Sequence, residues 1–221
     1  MEHDRVVRGR RMVRSFRAAP VGADLVDRLI DDALRAPTAG NTRGVDWLVL
    51  QGPETRAYWA TTTTGEWRET SRRWPGLSRA PVVALALTSP AAYVRRYGEP
   101  DKASSGLGLP PDDGEQGEGG NETEVGGEAT WPVPYWFGDA AFSTMTLLLG
   151  AAAAGLGACF LGNFRGESEL LGALGVPSGW RLFGAVLLGY PDGEDHRSAS
   201  LDRAGRPRSA SVHRGRWTRS G

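Results

Sequence analysis

The sequence predicts an α+β fold, and three observations carry that expectation. Short apolar or β-branched runs bounded by turn residues occur at 46–51 (DWLVLQ), 81–88 (PVVALALT) and 181–190 (RLFGAVLLGY), and read as buried strands. Between them lie segments whose apolar residues recur at helical spacing. The two kinds of segment interleave without the regular strand-then-helix beat of a doubly wound sheet.

Taken in order, residues 24–36 (DLVDRLIDDALRA) place Leu25, Leu29 and Ala33 beside Val26, Ile30 and Leu34 on a helix that Pro37 stops. After the strand at 46–51, residues 53–74 are polar and aromatic and read as helix with a loop. A short helix follows the second strand at 91–97. Residues 103–130 then carry Asp112, Asp113, Glu115, Glu118, Glu122, Glu124 and Glu128, many glycines and no Lys or Arg. Such a composition buries too little apolar surface to offset its ordering entropy. It is expected to be a mobile insertion in a single domain spanning 1–221.

Residues 139–154 form a helix that is apolar nearly all round, which belongs in a core or a subunit interface. A strand or turn at 158–162 (ACFLG), a short helix at 167–174 and the strand at 181–190 complete the domain. From 192 onward the tail is polar and rich in arginine.

Basic and acidic residues balance at 26 each over 221 residues, which removes a global electrostatic case for nucleic acid or anionic membrane. The lone cysteine, Cys159, cannot form an intrachain disulfide and fits a reducing compartment. The charged N-terminus has no apolar core of a secretory signal. The apolar run near 140–156 is shorter than the roughly 20 residues of a membrane span. A soluble, cytoplasmic protein is expected.

His3, His196 and His213 have no metal-ligand spacing, and no G-x-S-x-G elbow occurs. Cys159 sits in an apolar stretch that raises a thiol pKa, so core packing is its expected role. GLGACFLG (155–162) fails the dinucleotide spacing and follows a helix, so Gly155 reads as a helix C-cap. APTAGN (36–41) reads as an ordinary loop when taken alone.

Taken together, GRRMVRSF (9–16), a helix, APTAGN-x-R-x-x-x-W before a strand, a buried helix ending in GLGACFLG, a last strand and an arginine tail resemble the FMN-dependent nitroreductase family. The likeness runs through nearly the whole chain except 103–130. It implies a mixed sheet flanked by helices in an intertwined homodimer, with FMN at the interface and no nucleic-acid or membrane partner. Arg10, Arg11 and Arg14 would hold the FMN phosphate and ribityl oxygens, which suits guanidinium geometry. Thr38 and Asn41 would lie near the flavin, contributed by the partner subunit, with Arg43 beside them. Gly162 and Asn163 would set backbone N–H groups beside flavin N5, and Arg206 and Arg208 would complete the phosphate site.

Four departures from the family pattern stand out: Met12 for serine, Arg43-Gly44 for Gln-Pro, Val45 where tryptophan is common, and Phe160, Gly162 and Asn163 for P-x-E-G. The resemblance implies NAD(P)H as electron donor and a small electron-poor acceptor, such as a nitroaromatic, quinone, enone or azoline, served by ping-pong hydride transfer. A flavin-binding protein without turnover, an FMN-dependent dehydrogenase of a biosynthetic intermediate, and a nucleic-acid binder are the rival readings.

Overall fold

The computed structural model describes residues 2–108, 127–195, 202–205 and 208–217. A four-stranded sheet lies at its centre. The strands run in the order β1 (Val45–Gln51), β2 (Val82–Thr88), β4 (Arg181–Gly189), β3 (Gly157–Leu161), each pair antiparallel. A parallel component comes from the N-terminal segment, where Met12 bridges Ala158 on β3.

Alternation along the strands divides the core in two. Val82, Ala84, Val186 and Leu188 face one cluster, built with Val26, Leu29 and Ala33 of α2 (Ala23–Leu34) and Leu147, Leu148 and Ala151 of α6 (Tyr135–Ala153). Val83, Leu85, Leu87 and Leu187 face the other. There they meet Phe16, Tyr58 and Trp59 of α3 (Thr55–Thr62), and Leu170 and Leu171 of α7 (Glu167–Ala173). Because both faces are covered, all seven residues of β2 are buried. That is why the segment reads as an unbroken apolar run instead of an alternating one.

The remaining helices are α1 (His3–Gly9), α4 (Gly65–Thr70) and α5 (Pro90–Gly98). No apolar periodicity announced α1, which buries only Val6. Helix α6 begins at Tyr135, a turn before the expected start, and continues for 19 residues. Ala154 caps it and Gly155 takes a φ of 76°, as a C-terminal glycine does. Phe142 and Met145 remain exposed on α6. Among the described residues no helix is long and apolar enough to cross a membrane.

Of the acidic segment, residues 109–126 lie outside the described residues. Its flanks make the 3₁₀ turns Ala103–Ser105 and Glu128–Thr130, and the Trp131 indole N–H donates to the Leu107 carbonyl at 3.0 Å. The two ends of the segment therefore meet.

Candidate functional site

The arginine-rich arm is extended because the sheet and the chain's later segments pull it straight. After α1 ends, Val13 N–H donates to the Ala158 carbonyl at 2.9 Å and Arg17 N–H to the Tyr190 carbonyl at 2.8 Å. Met12 is occupied by packing: its sulfur takes the Phe160 N–H at 3.4 Å, where a serine hydroxyl would face a ligand. Gly157 leaves room for Val13, since a Cβ there would fall 2.9 Å from the valine.

Further along, Ser15 Oγ donates to Asp192 at 2.6 Å, and Arg79 Nη2 donates to both at 2.9 and 2.7 Å. The Arg14 N–H donates to Asp195 at 3.0 Å. Burial works against the Asp192 charge. Hydrogen bonds from Ser15 and the Glu194 N–H, with Arg79 alongside, nonetheless hold its carboxyl below the usual range.

Two guanidinium nitrogens on this arm are the informative ones. Arg10 Nη1 and Arg14 Nε are buried without a hydrogen-bond partner, although Arg14 Nη1 reaches the Met12 carbonyl at 3.1 Å. A buried donor left unpaired costs about 1–3 kcal/mol, and more when charged. Each is an unmet donor able to serve an anion, although of the two only Arg10 lines the cavity described next. Arg11 is exposed, and together with Arg5, Arg8 and Arg10 it lines a cavity of about 640 Å³ over Leu148, Ala152 and Leu156.

Beyond the end of β3, Gly162 and Asn163 line a second cleft of about 480 Å³. Its opposite wall is Tyr58, Trp59 and the Thr62–Thr64 stretch, with Trp67, Arg73 and Arg165 at its sides. The Asn163 side chain donates to the Arg165 carbonyl at 2.9 Å, which closes the turn. Phe164 is 97% exposed, and its ring lies 3.3 Å from where a Gly162 Cβ would sit. Cys159 is buried in the core behind this cleft, as expected. Burial pushes its thiol up to about 11, against the pull of Arg14 and Arg73 and with Asp195 adding to the rise. Arg73 was not singled out in the sequence, because nothing in TSRRW marks one of its two arginines.

The Thr38–Arg43 loop is built separately. Thr38 Oγ1 accepts from the Arg43 N–H at 3.0 Å, and Asn41 Oδ1 from Arg43 Nε at 3.4 Å, so the three residues brace one another. Asn41 and Arg43 both sit at φ 54°, a left-handed conformation that costs a side-chain-bearing residue roughly 1–2 kcal/mol. Strain of this kind persists where surrounding contacts over-determine it. Those contacts are present here. Asp139, 3% exposed, accepts from the Ala39 N–H at 2.7 Å and from the Tyr93 hydroxyl at 2.8 Å, and Arg96 donates to the Gly40 carbonyl at 2.9 Å. Burial, and then the Asp139 carboxylate, raise the Tyr93 phenol well above its ordinary pKa. A Cβ at Gly44 would lie 2.6 Å from the Tyr93 ring, which accounts for glycine where the resembling family has proline.

One chain does not bring all these residues together. Thr38, Asn41 and Arg43 precede β1, at one edge of the sheet, while Gly162 and Asn163 follow β3 at the other. Three inter-strand spacings of about 4.8 Å each separate those edges. Arg208 is exposed on the 3₁₀ turn Arg208–Ala210, and among the described residues no hydrogen bond or ion pair joins its side chain to the arm. Arg206 lies outside the described residues.

Comparison with known proteins places this fold in a class. The profile of the nitroreductase family matches residues 7–105 and 129–190, leaving out the first residues, the acidic segment and the tail from 191 onward. The chain belongs to the nitroreductase family. Among solved structures, a nitroreductase family protein from Clostridium difficile 630 superposes with a TM-score of 0.65 at 16% identity, covering 98% of this chain and 100% of its own. One from Streptococcus pneumoniae TIGR4 gives 0.65 at 19%, covering 96% and 100%. A structure from Desulfovibrio desulfuricans in complex with FMN gives 0.58 at 18%, covering 94% and 98%.

A curated relative from Archaeoglobus fulgidus, named for NADH dehydrogenase or NAD(P)H nitroreductase, is 31% identical over 90 residues, or 39% of this chain. That match spans half of the relative's length.

Proposed function

We propose that this chain is an FMN-dependent NAD(P)H oxidoreductase that reduces small electron-poor acceptors as a homodimer. The buried, unpartnered Arg10 Nη1 and Arg14 Nε carry the reading, because a phosphate monoester supplies the acceptors they lack. FMN held by these residues would supply the hydride-transfer chemistry between NAD(P)H and the acceptor.

The chain's own residues bind and orient. Arg10 and Arg14 grip the phosphate and ribityl oxygens, Arg11 adds charge from the exposed side, and Arg206 and Arg208 approach from the tail. Gly162 and Asn163 bring backbone to the ring system, with the Phe164 ring packed beside Gly162. Thr38, Asn41 and Arg43 reach the same flavin from the second subunit, since the sheet holds them at its far edge in their own. Exposed Phe142 and Met145 on α6, with Val7 and Leu34, supply an apolar face for that subunit. The expected interface exceeds roughly 2,000 Å², the obligate class. The free, buried Cys159 is compatible with a cytoplasmic setting.

The test is direct. Purified protein should carry or take up FMN, sediment as a dimer at micromolar concentration, and oxidise NADH or NADPH when an acceptor is present. Absence of any flavin binding would overturn the proposal. Tight FMN binding without pyridine-nucleotide oxidation would leave a flavin carrier in its place.

A further inference from the structure

The cleft beside Gly162 and Asn163 carries more cationic than anionic side chains, Arg73 and Arg165 against Glu66. Its threonine wall is already satisfied internally: Thr62 Oγ1 donates to the Tyr58 carbonyl at 2.7 Å, and Thr63 Oγ1 accepts from Arg68 Nε at 2.8 Å. Thr64 Oγ1 accepts from the Trp67 N–H at 3.1 Å. Beyond the threonines, one unmet donor stands out. Trp59 lines the cleft, is 6% exposed, and its indole N–H is buried with no acceptor. Indole nitrogen can only donate, so no rearrangement within the protein turns it into an acceptor.

Arg73 and Arg165 line the same cleft, both exposed, and among the described residues neither guanidinium has an ion-pair partner. The one carboxylate in the lining is Glu66, exposed in the first turn of α4. The rim adds flat apolar surface from Phe164, 97% exposed, and Trp67, 37% exposed. Flat apolar surface at a cleft rim offers a face on which an aromatic ring can stack.

Two cations without an ion-pair partner against a single carboxylate, an unmet indole donor and an aromatic rim select one kind of ligand. We infer that this cleft is the acceptor subsite and that it favours planar aromatic acceptors bearing a carboxylate, whose anionic end lies between Arg73 and Arg165. The inference rests on the oxidoreductase reading above and names the substrate class within it. Overall charge neutrality hides this preference, because the two guanidinium groups act locally over less than a Debye length.

The experiment compares 4-nitrobenzoate with its neutral isostere 4-nitrobenzamide on the FMN-loaded protein. The benzoate should show a KM about tenfold lower, equivalent to roughly 1.4 kcal/mol, and that gap should narrow as ionic strength rises. Arg165→Gln should raise the benzoate KM about tenfold while shifting the amide KM less than twofold, and Arg165→Lys should restore most of the loss. Arg73→Gln should act the same way.

Binding is read independently of turnover by titrating tryptophan emission with each compound. Quenching should occur at lower benzoate than amide concentration in the wild type, and Arg165→Gln should abolish the difference. Equal affinity for both compounds in the wild type overturns the inference, whatever the turnover. A larger loss of FMN affinity than of benzoate affinity in Arg73→Gln also overturns it, by assigning the cleft to the flavin. If neither acceptor is turned over although FMN is bound, the oxidoreductase reading fails and the titration alone decides the cleft.

Discussion

The Asp139 carboxylate accepts a 2.7 Å hydrogen bond from the Ala39 N–H, joining residues one hundred positions apart. The same oxygen takes the Tyr93 hydroxyl, so one buried acid ties α6, α5 and the loop before β1 together. Removing it as Asp139→Ala strands two buried donors, a loss of about 2–4 kcal/mol. Thermal unfolding should show a midpoint roughly 5–15 °C lower, with Asp139→Asn about halfway between. An unchanged midpoint in the alanine variant would mean that the loop is held by Arg96 alone.

Arg14→Ala should weaken FMN by about thirty- to several-thousand-fold, the loss expected when one partner of a desolvated ion pair is truncated. Riboflavin, which lacks the phosphate, should lose far less. Titrating apoprotein with each flavin checks this. Equal losses would assign the arginine to the fold and not to the phosphate.

Acid should loosen the arm. The Asp192 carboxyl sits below its ordinary pKa when folded, so its contribution to stability is complete above the unfolded value of about 3.9. That contribution fades as pH falls through the folded value, where the carboxylate that Ser15 and Arg79 hold becomes protonated. Asp192→Asn should therefore be less stable than wild type at pH 7, and the gap should close toward pH 3. A gap independent of pH would show that the charge contributes nothing.

Replacing residues 109–126 with a short Gly-Ser bridge should leave a folded, flavin-competent protein. The Trp131 to Leu107 hydrogen bond already brings the flanks together, and the composition between them opposes packing. Circular dichroism and flavin absorbance of the deletion read the outcome. Loss of either signal would make the segment structural.

Much of this architecture was legible because its signals are local. The strands at 46–51, 81–88 and 181–190 are short apolar runs that need no distant partner to be recognised, and Gly155 declares itself as a cap by following α6 directly. The cationic arm was visible for the same reason, since Arg10, Arg11 and Arg14 are neighbours. Asp139 was not visible as an anchor. In sequence it only interrupts an apolar helix, and its meaning depends on Ala39 and Tyr93 arriving from elsewhere. Arg73 and Trp59 were missed likewise, because the cleft they line with Asn163 exists only once α3 has packed against the end of β3. Helix α1 gave no warning because one buried side chain, Val6, makes no period.

The bond from the Arg14 N–H to Asp195 spans 181 positions, and Ser15 to Asp192 spans 177. The arm is therefore made long before its partners, which follow the last strand of the sheet. Closing so long a loop is entropically unfavourable until the intervening sheet has formed, so this seating comes late. A chain arrested before residue 192 would keep the bonds of Val13 and Arg17 to Ala158 and Tyr190 and lose those of Arg14 and Ser15. Pulse-labelled hydrogen exchange should find the Arg14 amide protected after those of β2; earlier protection would show that the arm docks without the tail.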